Sequence, residues 1–407
     1  MTASDSILKG ESVTLRFVLL AAKSLHESGL PAHRLEETLE RLCNKLGIYG
    51  EFFTTPGSIF ASITINEVTQ SHMIKVNHSD LNLEKIDAIE DVLDQIMDLK
   101  ITSEDALLEL KKIQSRKNRY SSTLMILFFA ISTGSAACVF GGGLPEITCA
   151  FLIGLGIGGL NTLLFIIPRL EKIFVLLSAI WAVSISTTFG FYFKNFQQDI
   201  ATICGLILLI PGFSFTVSIT EMVNNHLIAG LSRFTNAFIT FVMIAIGIAV
   251  GTKLIGHAPL IQSNHSWMAL PNWKEWLALV FVPLGFVVLF KAKPKDFIWI
   301  MLACWCSYFT YKLSVQSLSP PIAVCLASFF LGIVSNIFSR IKNRNGSVML
   351  VPGMILLVPG SLGFFSISHL VNSNIIAGLE TALSMLTTSM ALVFGIIFSN
   401  ILIQSKR

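Results

Sequence analysis

Residues Leu208–Leu231 read LLIPGFSFTVSITEMVNNHLIAGL, and Leu356–Leu379 read LLVPGSLGFFSISHLVNSNIIAGL. Laid over one another without gaps, 148 positions apart, the two stretches agree at 12 of 24 positions. The shared residues are Leu208, Leu209, Pro211, Gly212, Ser218, Ile219, Val223, Asn224, Ile228, Ala229, Gly230 and Leu231. Beyond the window, Gly205 meets Gly353 and Gly247 meets Gly395. Hydrophobic bias aligns scattered Leu and Ile. It does not bring Pro–Gly, Val–Asn and Ile–Ala–Gly–Leu into one register, so the chain reads as an internal repeat.

The repeat sits in a very apolar protein. Of 407 residues, 53% are hydrophobic and 13% charged, where an average domain carries about a quarter charged. Residues 1–120 hold 32 of the 54 charges, leaving 22 for the other 287 residues. That split predicts a small charged domain over 1–120 followed by a membrane part, and it excludes a soluble enzyme spanning the chain, a disordered protein and a disulfide-rich scaffold. No apolar run opens the sequence, so no cleavable signal peptide is expected. At about 20 apolar residues per crossing, ten spans are expected: 122–140, 146–167, 173–192, 199–220, 230–252, 275–291, 296–312, 320–339, 347–368 and 375–403. They group as a first five-helix half (121–255), an external loop (256–274) carrying His257, His265, Trp267 and Trp273, and a second five-helix half (275–407).

The positive-inside rule tests this count. With the front domain cytoplasmic, the inside segments carry 16 basic residues and the outside segments only Lys194, Lys253, Lys274 and Lys312. A wrong count would scramble the alternation. Both termini are therefore expected in the cytoplasm. The matched elements are the fourth and ninth spans, and five crossings separate them. An odd number reverses direction, so the halves are expected to be inverted repeats, an architecture of secondary transporters.

Each matched span carries Pro–Gly halfway, at Pro211–Gly212 and Pro359–Gly360. Proline removes a backbone donor and glycine weakens the helix, and freed groups in hydrocarbon need new partners. One reading is a packed kink. The other is a pair of broken helices whose inner ends face a midplane site, the positive end of the second half-helix favouring a carboxylate. Around it, Ser214, Thr216 and Ser361 are candidate hydroxyl partners, Asn224 and Asn372 matched amides, and Glu146, Glu221 and Glu380 candidate carboxylates, since ionisable groups in spans are costly. Arg233 and Asp296 lie near span ends as well. Gly154–Leu–Gly156–Ile–Gly158–Gly159 matches a dinucleotide fingerprint, but no strand precedes it, and helix packing through Gly154 and Gly158 is the better reading. The seven cysteines show no metal or disulfide spacing; no metal, cofactor or nucleic-acid partner is expected.

In the front domain, the pattern predicts helices over 12–28, 31–46, 83–99 and 103–119, with strands near 48–54, 59–65 and 72–76, an ααβββαα arrangement. The basic end, Lys111 to Arg119, is placed to meet anionic headgroups. His26, Ser28, His33, Glu36 and Glu37 leave a membrane-anchored hydrolase as an alternative, although triads are defined by geometry and no nucleophile elbow is present.

Taken together these residues resemble the threonine/serine exporter family. The resemblance rests on Glu27–Ser28–Gly29, His33–Arg34–Leu35–Glu36–Glu37–Thr38 and Thr54–Thr55–Pro56–Gly57–Ser58–Ile59–Phe60–Ala61–Ser62, then on Phe140–Gly141–Gly142, Glu146 and the two Pro–Gly helices. It covers nearly the whole chain. It implies an inner- or plasma-membrane exporter of threonine and serine driven by an ion gradient, with protons as the coupling ion, possible self-association, and a front-domain motif including His33, Arg34, Glu36, Thr55 and Ser62. Relatives split over two chains are implicated in export of dicarboxylates such as succinate, which stays open as a substrate class. The chain departs from the family in having Glu146 where aspartate is frequent, and Thr-Thr-Pro-Gly for Thr-Pro-Thr-Gly.

Overall fold

A computed structural model describes residues 13–65, 67–76, 81–164, 166–193, 196–255, 272–371 and 373–403. Asn372, and most of the loop expected over 256–274, including His257, His265 and Trp267, lie outside the described residues.

The front domain has the expected order: α1 (Val13–Glu27), α2 (Ala32–Lys45), β1 (Tyr49–Thr55), β2 (Ser58–Ile65), β3 (Val68–Lys75), α3 (Leu83–Met97) and α4 (Ser103–Ser115). The strands form an antiparallel meander, β1–β2–β3. Gly50, Phe52 and Thr54 of β1, with Ile59, Ala61 and Ile63 of β2, alternate inward, as the period of a half-covered sheet requires. They meet Phe17, Leu25, Leu35, Leu39, Ile89 and Leu110 in one core. Asn82 caps α3 through the Lys85 amide and Thr102 caps α4 through the Asp105 amide, satisfying donors the first turn leaves open. Two edges differ from expectation. β3 starts four residues earlier than its apolar end suggested, because its outward face is polar and paired only with β2. α4 stops at Ser115, and Arg116 is extended, with φ −60° and ψ 128°, so the basic stretch 116–119 is a strap rather than a helix end.

The remainder is helical: α5 (Ser122–Val139), α6 (Leu144–Leu164), α7 (Phe174–Tyr192), α8 (Gln198–Leu206), α9 (Gly212–Val223), α10 (Leu227–Ile255), α11 (Asn272–Leu289), α12 (Phe297–Ser314), α13 (Pro320–Lys342), α14 (Ser347–Leu357), α15 (Gly360–Val371) and α16 (Ile375–Leu402). Seven stretches among the described residues are long and apolar enough to cross a membrane, α14–α15 counting as one and α7 with its preceding 3₁₀ turn as another. Three of the ten expected spans fall short of that standard. The fourth is divided into α8 and α9, the sixth is shorter, and the seventh, α12, is not apolar enough over its length.

Small residues set the packing, as they do where lipid supplies no hydrophobic drive between helices. A Cβ on Gly158 would lie 2.9 Å from the Ile126 Cα, and one on Gly154 2.9 Å from the Ala130 Cα. Gly154 and Gly158 thus form the seam between α5 and α6. Gly247 meets Ala179 and Gly395 meets Ser328 in the α10–α7 and α16–α13 contacts. The two halves share one set of neighbours: α6–α8, α7–α8, α7–α10 and α9–α10 in the first, α12–α14, α13–α14, α13–α16 and α15–α16 in the second.

The turn after each matched half-helix repeats residue for residue. Asn225 and Ser373, 148 apart, have φ of 65° and 62°. His226 N–H donates to the Glu221 carbonyl and Asn374 N–H to the His369 carbonyl, both at 2.9 Å. Gly230 lies against Met222 and the Ser218 carbonyl, Gly378 against Leu370 and the Ser366 carbonyl. A second correspondence runs at spacing 150. Gly142 N–H donates to the Ala137 carbonyl and Ala292 N–H to the Val287 carbonyl, each just before the acid that opens the next helix, Glu146 or Asp296.

Candidate functional site

The two Pro–Gly breaks come together. α8 ends at Leu206 and α9 starts at Gly212; α14 ends at Leu357 and α15 starts at Gly360. In both breaks the glycine N–H folds back to the carbonyl two residues earlier, Gly212 to Ile210 at 2.8 Å and Gly360 to Val358 at 2.9 Å. The packed-kink reading gives way to interrupted helices. A Cβ on Gly212 would stand 2.8 Å from the Gly360 Cα. Both glycines and Pro359 are buried and Pro211 is half-buried. Leading into each half-helix, the N–H groups of Phe213 and Ser214, and of Ser361 and Leu362, have no backbone acceptor among the described residues. Such groups, at the positive ends of two helix dipoles, suit an anionic oxygen. Ser214 and Ser361 are half-buried beside them. Thr216 is fully buried but already donates to the Gly212 carbonyl at 3.1 Å.

The expected carboxylates separate into different settings. Glu146 is 4% exposed at the start of α6 and accepts from the Gln197 N–H at 2.8 Å. It thereby ties the α7–α8 turn to α6, with no cation beside it among the described residues. Gly142 is tightly enclosed there, since a Cβ on it would come within 2.9 Å of the Glu146 Cβ and 3.0 Å of the Ala137 carbonyl. Glu380 is exposed and Asn224, also exposed, donates to the Thr220 carbonyl.

Glu221 lies at the end of α9 with none of its surface exposed. Arg233 grips it with two hydrogen bonds, 3.1 and 3.0 Å, the strong bidentate form. Its Oε1 also accepts the Ala32 N–H at 3.1 Å, capping α2 from the membrane side. The front-domain motif meets the same corner. Glu36 accepts from the Thr54 amide and hydroxyl and stands 3.3 Å from the His226 Nδ1. The His33 ring is 6.3 Å from that of His226. Burial pushes the His33 imidazole down to about 3, helped by Arg34, His226 and Arg233. Thr55 donates to the Ser58 carbonyl, and Ser62 pairs across β2 with Glu51 and Ser71. No nucleophile and base meet in this set. Ser28 donates to the Ser24 carbonyl, and His26 faces the Thr55 carbonyl, its imidazole lowered mainly by burial.

A second junction joins the front domain to the other half. Arg344 holds Asp87 at 3.1 and 2.8 Å and Asp296 at 2.6 and 3.0 Å. Lys293 also binds Asp87, and Asn345 donates to Glu90 at 2.6 Å. Burial raises the Asp87 carboxyl, but the hydrogen bonds from Arg344 and Lys293 outweigh it and hold the group below its ordinary value. Leu83 N–H and Glu84 N–H cap the last carbonyls of α11, at Phe290 and Lys291. Asp87, Arg344 and His226 were not singled out from the sequence. Their partners lie up to 257 residues away, and only the 150-spaced acids Glu146 and Asp296 offered a signal.

These contacts fix directions. The ends of α9, α11 and α13 reach the front domain, whereas α14 begins beside it, and α14–α15 make one span leading away. Between α10 and α15, a cavity of about 210 Å³ is lined by Phe241, Ile244, Phe364, Ser368, Thr252 and Lys253. No group of three metal-ligating side chains occurs among the described residues.

Comparison with known proteins places these features. Residues 16–255 match the family model of threonine/serine exporters, and residues 275–402 match a second model of the same exporters. The chain is 26% identical over 92% of its length to "Pheromone-regulated membrane protein 10" of Kluyveromyces lactis, covering 39% of that protein. It is 25% identical over 88% of its length to the protein of the same name from Eremothecium gossypii, covering 49% of it. An uncharacterized protein of Schizosaccharomyces pombe is 24% identical over 91% of the chain, with 49% of its own length covered. The chain thus spans less than half the length of these relatives. No solved structure matches.

Proposed function

The chain belongs to the threonine/serine exporter family, and from that premise we propose that it is a secondary active exporter of threonine and serine. The transport runs outward across the cytoplasmic membrane, with the front domain and both termini inside. Ten spans form two inverted five-helix halves, a reading supported by the shared turn geometry and by the opposite directions of α9 and α15 relative to the front domain. The observation that carries the proposal is the meeting of two equivalent breaks at Gly212 and Gly360. Discontinuous helices crossing at the interface of inverted halves are how transporters build a binding site in the bilayer.

The open N–H groups of Phe213, Ser214, Ser361 and Leu362 bind the substrate carboxylate. Ser214 and Ser361 serve the substrate hydroxyl. A hydroxylated amino acid offers one carboxylate and one hydroxyl to these two sets. Glu146, buried beside one backbone amide with no cation beside it among the described residues, carries the coupling proton; Glu221, held by Arg233 and capping α2, links the domains.

Proteoliposomes loaded with protein and given an imposed pH gradient test this. Threonine and serine should accumulate against their own gradients and succinate should not, and Glu146→Gln should abolish pH-driven but not downhill exchange. Downhill flux alone in the wild type would mark a channel and refute active export.

A further inference from the structure

Where the front domain meets the feet of α5 and α11, two chambers of about 160 and 400 Å³ share Asn82, Lys85, Asn118 and Lys291 among their walls. The outer chamber is basic. Lys85, Arg116, Lys117, Arg119 and Lys291 line it against Glu84 alone. Arg119 is committed to Glu84, and Lys85 reaches the Gln114 carbonyl. Arg116 and Lys117 are exposed and make no side-chain hydrogen bond among the described residues. The inner chamber is richer in hydroxyls and amides, Ser24, Ser28, Asn82, Gln114 and Asn118, with Lys85 and Lys291 set against Glu27. The Ser24 hydroxyl there is buried and has no hydrogen-bond partner among the described residues, a cost that a ligand hydroxyl removes.

This pairing of a cationic mouth with a hydroxyl- and amide-lined interior selects one chemistry. Guanidinium and ammonium groups match a phosphate, and the amides and hydroxyls match a polyol. The position agrees. Arg119 stands three residues before α5, and Lys291 two residues beyond α11, so the mouth lies at the depth where phosphates of the bilayer reside.

We propose that this cleft binds a phosphate-bearing polyol, its phosphate against Arg116, Lys117 and Lys291 and its hydroxyls against Ser24, Asn82 and Gln114. The glycerophosphate headgroup of an anionic phospholipid and soluble glycerol 3-phosphate share that chemistry. The ligand clamps the strap 116–119, the last link between the front domain and the first span, and this site is separate from the transport route.

The full chain, purified and placed in vesicles of phosphatidylcholine with or without phosphatidylglycerol, gives the test by native mass spectrometry. The wild type should retain one phosphatidylglycerol. The double variant Arg116→Gln/Lys117→Gln, and independently Lys291→Gln, should lower that retention at least tenfold. Lys111→Gln/Lys112→Gln removes equal charge from the same helix end outside the cleft and should leave it intact. Thermal stabilisation by glycerol 3-phosphate in phosphatidylcholine alone assigns the soluble source, and its failure beside retained phosphatidylglycerol assigns the lipid. Equal losses in the cleft and control variants would reduce the effect to diffuse surface charge and overturn the proposal, as would binding of neither probe.

Discussion

The crossing of the two breaks makes an asymmetric prediction from a symmetric sequence. Gly212→Ala places a methyl 2.5 Å from Val358 Cγ1 and 2.8 Å from the Gly360 Cα, where carbon pairs settle at about 3.5–4.0 Å. A deficit of about 1 Å against backbone cannot be relieved by a rotamer change. Overpacking of this kind costs about 1–3 kcal/mol, which is about 5–150-fold in the ratio of two conformers. The reciprocal Gly360→Ala is milder. Its methyl meets the end of the Ile210 side chain at 3.0 Å and the Gly212 Cα at an ordinary 3.6 Å. Thermal unfolding of the purified full chain should therefore rank Gly212→Ala as the least stable. Gly360→Ala should fall between it and the control Gly159→Ala, whose methyl meets nothing within 4 Å. Efflux should fall in the same order. The sign is informative, because alanine is the better helix former by up to about 1 kcal/mol. If the breaks did not touch, Gly212→Ala would stabilise. Unchanged or raised stability of that variant, or a larger loss at Gly360, refutes the crossing.

Three further outcomes are expected. Arg344→Met strands Asp296, 2% exposed, and leaves Asp87, 1% exposed, with Lys293 alone, and should cost about 3–5 kcal/mol in unfolding experiments; adding Asp296→Asn should recover part of it, and no recovery would deny that the uncompensated charge causes the loss. For His33, the folded value near 3 lies below the ordinary 6.5, so unfolded chains take up a proton first. Stability is then full above about pH 6.5 and declines by about 1.4 kcal/mol per pH unit below it. Thermal melts between pH 7.5 and 5 should show this slope and His33→Gln should flatten it; parallel slopes would remove His33 from the junction. Gly158→Leu should separate α5 from α6, since even a Cβ there lies 2.9 Å from the Ile126 Cα, and an unaltered melting temperature would contradict that seam.

What the sequence could say depended on the range of the physics involved. Periodicity, Pro–Gly and small residues act within one or two turns, so seven of the ten expected spans, the breaks, the α5–α6 seam and the ααβββαα order were readable. The ion pairs were not. Glu221 reads as a lone intramembrane acid until the fold brings Arg233 and the α2 N-terminus to it, and Arg344 reads as an ordinary loop cation. The match between Glu146 and Asp296 was hidden for a simpler reason. The segment Glu146–Gly205 is two residues longer than Asp296–Gly353, so an ungapped register at 148 slides past it.

The two acids put one motif to two uses. Each opens the second helix of its half after the same turn, and each grips the connection leading into the broken span, Glu146 at Gln197 and Asp296 at Arg344. On the face away from the front domain the grip is a single amide. On the near face the same position is a guanidinium shared with Asp87, and α2 is locked to Glu221 of the other half. One small domain therefore bonds both halves on one face, and buried ion pairs of this sort are costly to separate. On the function proposed above, rocking of the halves is cheapest if the front domain moves with one half and releases the other. The Asp87–Arg344 pair joins the front domain directly to the second half, whereas Arg233 and Glu221 both belong to the first half, and the front domain reaches them through the Ala32 amide. Crosslinking cysteines introduced at Glu90 and Asn345, which join the front domain to the second half, should arrest efflux, while a crosslink between Ala32 and Glu221 should not. Arrest by the second crosslink alone would place the release on the opposite half.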